Sequence, residues 1–237
     1  MTRRRVVLVI FVAAGCVAAA IYFLRVTAIE VEGTTALSPS QVLAASGLRG
    51  GERILWLRTG EVASRIERYA SVASADVDRK LPGTIVIRVS ERAAVVALGR
   101  GLAADASGVV FAYPSVPAST PALEGWRAPA RPGALLDDAS RAVVSALGGF
   151  PPELRRRVRR ISLVGSVTMF LDDGTEVRFG QPDDLVVKAR AAQAVLVYAA
   201  EHHEVLAYVD VRAPSAPASR DRTPPSPSPT ASAAPGP

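Results

Sequence analysis

The 237 residues allow one to three domains, and a hydrophobic fraction of 49% is high for a wholly soluble protein. A single cysteine excludes an intramolecular disulfide, so folded parts must be stabilised by their cores. The net charge of +6 invites an anionic partner, but the N-terminal segment argues for export and so against nucleic acid.

From Val6 to Leu24 runs VVLVIFVAAGCVAAAIYFL, 19 residues without a charge. As a helix this reaches roughly 28 Å, close to the thickness of a hydrocarbon core. Arg3, Arg4 and Arg5 precede it and only Arg25 follows closely. The positive-inside bias therefore predicts a cytoplasmic tail (1–5), a membrane helix (6–24) and everything later outside the cell. Two alternatives compete with an uncleaved anchor. A cleavable signal peptide fits the arginines and Ala18-Ala19-Ala20, yet apolar Ile21-Tyr22-Phe23-Leu24 follows where a polar mature terminus should begin. Ala13-Ala14-Gly15-Cys16 suggests lipidation of Cys16, but the residues after the cysteine stay apolar and an alanine stands where a leucine is usual. The anchor is the preferred reading, with Tyr22 as an interfacial aromatic.

Ile29 and Val31 alternate with Glu30 and Glu32 before Gly33, a first strand. Ser38-Pro39 opens a helix, with Gln41 placed for a capping box and Gly47 as the stop. A loop and a short apolar piece, Ile54 to Leu57, lead to a second helix over Thr59–Tyr69. Its Val62, Ile66 and Tyr69 face inward, with Arg65 and Arg68 outside. A hairpin comes next. Its turn is Leu81-Pro82-Gly83, and its second strand buries Ile85, Ile87 and Val89 with Val86 and Arg88 on the other face. The order β-α-α-β-β suits a small two-layer module.

Beyond Ala93, Asp105 to Gly108 forms an Asp-x-x-Gly turn, Pro121 to Leu123 a short strand, and Asp137–Leu147 a helix stopped by Gly148-Gly149. Five arginines crowd Arg155 to Arg160. Ile161–Leu171 reads as one strand, Asp172 to Thr175 as a tight turn and Glu176–Phe179 as the return strand. Asp183–Glu201 is an amphipathic helix with Leu185, Ala189, Ala192 and Leu196 on one face and Lys188 and Arg190 elsewhere, and Val205–Arg212 is a last strand. Residues 214–237, mostly Ala, Pro, Ser and Thr, read as a disordered tail.

Ile29 to Gly33, the helix after Leu37-Ser38, the Leu81 to Ile85 turn and the Val89 to Arg92 strand exit resemble a POTRA domain of the bacterial FtsQ/DivIB cell-division family. A basic tail, one membrane helix and an immediately following POTRA module are that family's layout, and the resemblance runs from Met1 to about Arg220. It implies an α+β protein: a POTRA domain over 25–92, then a second α+β domain over 93–213. The second domain's mostly antiparallel sheet would continue the POTRA sheet. It also implies a role in the divisome at the division septum, linking early division proteins to septal wall synthesis. Tyr208-Val209-Asp210-Val211-Arg212 is similar to the family's Tyr-Val-Asp-Leu-Arg strand, after which one more strand forms the sheet edge and pairs with a strand of FtsB, which travels with FtsL. Tyr208, Val211, Arg212, Ala213, Ser215, Ala216, Ala218 and Ser219 would be the contacts here. Pro214 and Pro217 depart from the pattern, so either the edge is short or the chain leaves the sheet at Pro214. The strand Ala75 to Lys80 matches a family segment implicated in recruitment, with Val77 and Arg79 at the matching positions.

Other candidates are weaker. Arg155, Arg156, Arg157, Arg159 and Arg160 would suit an anionic surface, lipid or wall polymer, but the preferred reading is a solvated helix end with cations near its C-terminus. Adjacent His202 and His203 point about 100° apart on a helix and make a poor chelate. No Gly-x-Ser-x-Gly elbow, nucleophile–base pair or phosphate loop appears, so no catalysis, cofactor, metal or small-molecule substrate is expected. The leading expectation is a single-pass division scaffold binding FtsB- and FtsL-like partners. The alternative is an anchored protein that binds cell-wall polymer through its arginines and Pro-rich tail.

Overall fold

The computed structural model describes residues 3–222, the side chains of residues 3–5 and 20–23 excepted. The chain opens with a helix, α1 (Arg3–Phe23), whose apolar side chains from Val6 to Val17 are more than half exposed. Among the described residues no helix is long and apolar enough to cross a membrane.

The first module contains β1 (Ala28–Glu32), α2 (Pro39–Ser46), α3 (Thr59–Glu67), β2 (Val72–Lys80) and β3 (Thr84–Glu91), with a 3-10 turn at Ile54–Trp56 between the helices. The strands lie in the order β1-β3-β2. β1 runs parallel to β3, because two helices carry the chain back across the sheet, and β2 and β3 form the antiparallel hairpin. The expected capping box is present: the Ser38 side chain accepts from the Gln41 N–H while the Gln41 side chain accepts from the Ser38 N–H. Gly47 closes α2 in the left-handed conformation. Val42, Val62 and Ile66 from the helices meet Val72, Ile85, Ile87 and Val89 from the sheet around fully buried Ile54. Each such side chain contributes about 1.5–3 kcal/mol on burial.

Two expectations fail here for identifiable reasons. Tyr69 is 41% exposed because α3 ends at Glu67, which takes Tyr69 off the helical spacing. Val86, expected on the solvent face, is 2% exposed. Glu30 and Asp78 flank it in the register, and Arg88 spans Glu32, Asp76 and Asp78 over the same face. Long charged side chains cover apolar surface with their stems while their heads stay in water.

The second module contains β4 (Val96–Gly99), β5 (Leu102–Ala104), β6 (Val110–Ala112), β7 (Ala122–Glu124), α4 (Asp138–Ala146), α5 (Pro152–Arg157), β8 (Val158–Ser162), β9 (Val167–Leu171), β10 (Glu176–Gly180), α6 (Leu185–Glu201), β11 (Leu206–Asp210) and β12 (Ala218–Asp221). Among the described residues these strands make a nine-stranded sheet in the order β12-β11-β10-β9-β8-β7-β4-β5-β6. Five of its pairings are antiparallel and three parallel. Val143, Val144, Leu154, Ala189, Ala192 and Leu196 from the helices pack with Ile161, Met169, Val177, Phe179 and Val209 in one core.

Four departures from expectation occur. Ile161–Leu171 is not one strand: β8 and β9 form a hairpin turning through Gly165 at φ 79°, and Arg159 and Arg160 lie on β8. Lys188 is buried, donating to the Asp183 carboxylate and the Gln181 carbonyl. The two sheets are separate rather than continuous. β12 forms within the stretch expected to be tail; residues 223–237 of that tail lie outside the described residues.

The modules join at Arg92. Its backbone N–H donates to the Ser71 carbonyl, its Nε to the Ala70 carbonyl, and its guanidinium pairs with Asp105 across the junction. Asp105 also accepts from the Ser107 and Val109 N–H groups and the Ser107 hydroxyl, closing the β5–β6 turn. Burial raises its pKa, but the Ser107 and Val109 bonds and the Arg92 charge outweigh burial and hold the carboxyl below its ordinary value.

Candidate functional site

β11 and β12 build the most exposed edge of the large sheet. β11 is held in place on its inner side by parallel pairing with β10, Glu176 opposite Tyr208 and Arg178 opposite Asp210. Its buried residues, Leu206 and Val209, and the following Val211 anchor it in the core. Val211 is fully buried, so among the expected contacts it positions the edge and offers no surface itself.

After β11 the chain makes a turn, with the Ala216 N–H donating to the Ala213 carbonyl. Pro214 and Pro217 both fall before β12 rather than within it, where their missing donors cost no ladder bond. The chain thus leaves the sheet and returns, and the resulting edge is short. β12 pairs antiparallel with β11: Asp210 opposite Ala218, Val209 opposite Ser219, Tyr208 opposite Arg220, Leu206 opposite Asp221. All four of its residues are exposed, and no strand lies beyond it among the described residues. Arg222 fastens its end, its N–H on the Val205 carbonyl and its guanidinium on the Asp173 and Leu206 carbonyls. Nothing in the sequence marked Arg222 for this; the signal is the pairing of β12 itself.

Tyr208 lies half-buried between two cations, Arg178 at 4.0 Å and Arg220 at 5.7 Å from its ring centre. Arg212 is exposed, with its Nη2 2.6 Å from an Asp210 oxygen. Hydrogen bonding to the Arg212 side chain, against the opposing effect of burial, keeps the Asp210 carboxyl below the usual range, with further help from the Arg212 N–H and the Arg178 charge. Gly180 at φ 76° makes room for the pair, since a Cβ there would come within 2.8 Å of Arg212 Cγ. Arg212, Ala213, Ala216 and Ala218 border an open depression of 430 Å³ beside the edge. Ser215 and Ser219 are exposed. The chemistry on offer is backbone donors and acceptors, a flat aromatic flanked by cations and one exposed guanidinium. This is suited to a β-strand partner.

The other candidates separate clearly. Val77 is 6% exposed in the first module's core, so of the expected recruitment pair only Arg79 has surface, donating to the Leu57 carbonyl. The arginine run is largely neutralised. Arg156 pairs with Glu153, Arg157 with Asp172 and Asp173, Arg159 with Asp172 and Arg160 with Glu124, leaving Arg155 on the Gly148 carbonyl. His202 stacks on Tyr198 at 4.0 Å with Nδ1 2.8 Å from the Tyr198 carbonyl oxygen. Among the described residues no group of three His, Cys, Asp or Glu side chains could hold a metal ion.

Comparison with known proteins bears on the same elements. Residues 24–92 match the family model for an FtsQ-type POTRA domain, and residues 94–212 match that for the C-terminal region of cell division protein FtsQ/DivIB. The chain belongs to the FtsQ/DivIB family. Relatives named cell division protein FtsQ agree. That of Streptomyces bingchenggensis is 31% identical over 92% of this chain and 87% of its own. The Streptomyces venezuelae protein is 33% identical over 82% and 74%, and that of Mycobacteroides abscessus 31% identical over 84% and 65%. Neither family model describes an enzyme. The FtsQ/DivIB match ends at Arg212, so β12 lies beyond the matched region in this member.

Proposed function

We propose that this chain is a non-catalytic division scaffold that docks FtsB- and FtsL-like partners outside the membrane and couples earlier division proteins to septal wall synthesis. The observation that carries this reading is β12: a short, wholly exposed strand at the end of a nine-stranded sheet, whose outer backbone groups can template one more strand. Arg212 and the depression beside Ala213, Ala216 and Ala218 supply charge and shape for the partner's flanking residues. The family supports division proteins as partners in general, and the resemblance supplies FtsB and FtsL as the specific ones.

In this reading the full Val6–Leu24 stretch, which takes in residues beyond the described side chains of α1, crosses the cell membrane, with residues 1–5 in the cytoplasm and the two modules outside, at the septum. Its support is the uncharged Val6–Leu24 stretch after three arginines and the exposure of its apolar side chains. An anchor confines partners to two dimensions and raises their effective concentration, so that a four-residue edge suffices. Co-expression of the full chain with an FtsB-like coiled-coil protein should give stoichiometric co-purification. Truncation after Arg212 should abolish it while both modules remain folded. Undiminished capture by the truncated chain would refute the proposal.

A further inference from the structure

The exit of α1 is stitched to two loops of the first module. The Ile54 N–H donates to the Leu24 carbonyl, Arg25 bridges to Arg53, and Arg25 Nη1 reaches the Gly51 carbonyl at 2.7 Å. Val26 donates to the Glu52 carbonyl and Thr27 to the Gly83 carbonyl. The loop before α3 and the tip of the β2–β3 hairpin are thereby fixed beside the end of the helix. Each carries a large apolar side chain out into solvent. Trp56, two residues from Ile54, is 57% exposed, and Leu81, two residues from Gly83, is 60% exposed.

Neither side chain has a place in the first module's core, although Leu55 and Leu57 on either side of Trp56 pack against it. Their surroundings are basic. Arg25, Arg53, Arg58, Arg79 and Lys80 stand near them in the chain; Arg58 pairs with Glu61 and Lys80 with Glu30, while Arg25 and Arg79 end on carbonyls, which are neutral. Arg53 also lies 6.0 Å from the Trp56 ring.

We propose that this face, Trp56 and Leu81 with the arginines around them, lies against the bilayer and binds anionic phospholipid headgroups. The inference rests on the reading of α1 as an anchor. The indole and the leucine enter the headgroup boundary, where amphipathic aromatics collect. The guanidiniums meet lipid phosphates. The first module is then held at a set angle to the membrane, and the β12 edge projects from a fixed base rather than swinging on a tether. A lipid surface is the occupant to which the face commits, because residues 24–27 bond it directly to the end of the helix.

The test uses the full chain reconstituted in vesicles containing phosphatidylglycerol, with acyl chains brominated near the carbonyl. Trp126→Phe leaves Trp56 as the sole tryptophan, since the chain has two. Brominated lipid is expected to quench a large part of its emission, as for a ring held at headgroup depth. Leu81→Asp should reduce that quenching severalfold, as should neutral vesicles. If Trp126→Phe fails to fold, the difference between the natural chain and Trp56→Phe reports the same quantity. Insertion of α1 is read separately, from protection of Cys16 against an impermeant maleimide. Protected Cys16 with unquenched Trp56 overturns this inference and leaves the anchor standing. Labelled Cys16 overturns the anchor and this inference with it. Equal quenching in neutral and anionic vesicles overturns the headgroup recognition.

Discussion

Replacing Asp105 by alanine tests how the two modules are joined. The carboxylate and its partner Arg92 are only 13% and 20% exposed, so neither charge is easily taken up by water. Losing the charge-assisted bond costs about 1.5–3 kcal/mol. Stranding a largely buried guanidinium adds to this, short of the roughly 3–5 kcal/mol seen for fully buried pairs, because Arg92 keeps its bond to the Ala70 carbonyl. A total of about 3 kcal/mol is expected, or roughly 10 °C in the melting of the second module. Emission of Trp126 in a Trp56→Phe background follows that transition separately from the first module's, since the chain has two tryptophans, one in each module. Arg92→Met and the double variant complete the cycle, with a coupling of about 1 kcal/mol or more. Asp105→Asn, which can still close the β5–β6 turn, should recover part of the loss. The pH dependence has a definite sign. Folding lowers the Asp105 pKa, so its contribution is complete above the unfolded value of about 3.9 and is lost as pH falls through the lower folded value. A loss below about 1 kcal/mol, or strict additivity in the cycle, would refute the clamp.

Gly33, at φ 82°, faces the Val89 carbonyl oxygen so closely that a Cβ would collide with it, whereas Gly51, at φ 95°, has open space. Gly51→Ala should cost only the left-handed penalty of about 1–2 kcal/mol and Gly33→Ala clearly more, measured by urea denaturation of the first module. Buried Lys188 should tolerate replacement by methionine better than it tolerates loss of Asp183, so Asp183→Ala lowers the melting temperature more than Lys188→Met does. Asp172→Asn with Asp173→Asn strips the carboxylates from Arg157 and Arg159. Salt-sensitive binding to an anionic wall polymer should be weak in the natural chain and several times stronger in the variant, as read by cosedimentation.

Local chemistry carried much of the fold. The Ser38 and Gln41 cap, the Pro82-Gly83 turn and the Asp172 to Thr175 turn are decided by residues within a few positions of one another, and each is where the sequence puts it. What the sequence hid was decided at a distance. Val86 looks solvent-facing by alternation, and only the register of β1 and β2 on either side brings long ionic side chains over it. Lys188 looks like a surface lysine until Asp183 folds back onto it. β12 is the sharpest case: Ala-Ser-Arg-Asp has no strand propensity to speak of, and it is ordered by the free edge of β11 and by Arg222 gripping carbonyls at both Asp173 and Leu206. The family resemblance pointed at this region while the composition argued for a tail. The structure reconciles them, with prolines in the turn and a strand after it.

If the scaffold works as proposed, backbone at the β12 edge, rather than any side-chain chemistry, receives the partner. Residue-resolved amide hydrogen exchange of the full chain, with and without the FtsB-like protein, observes those groups themselves. Alternate amides of Ala218 to Asp221 face away from β11 and should exchange rapidly in the free chain, then gain strong protection on binding. Binding that leaves these outward-facing amides as fast as before, with protection appearing elsewhere, would contradict docking by strand addition.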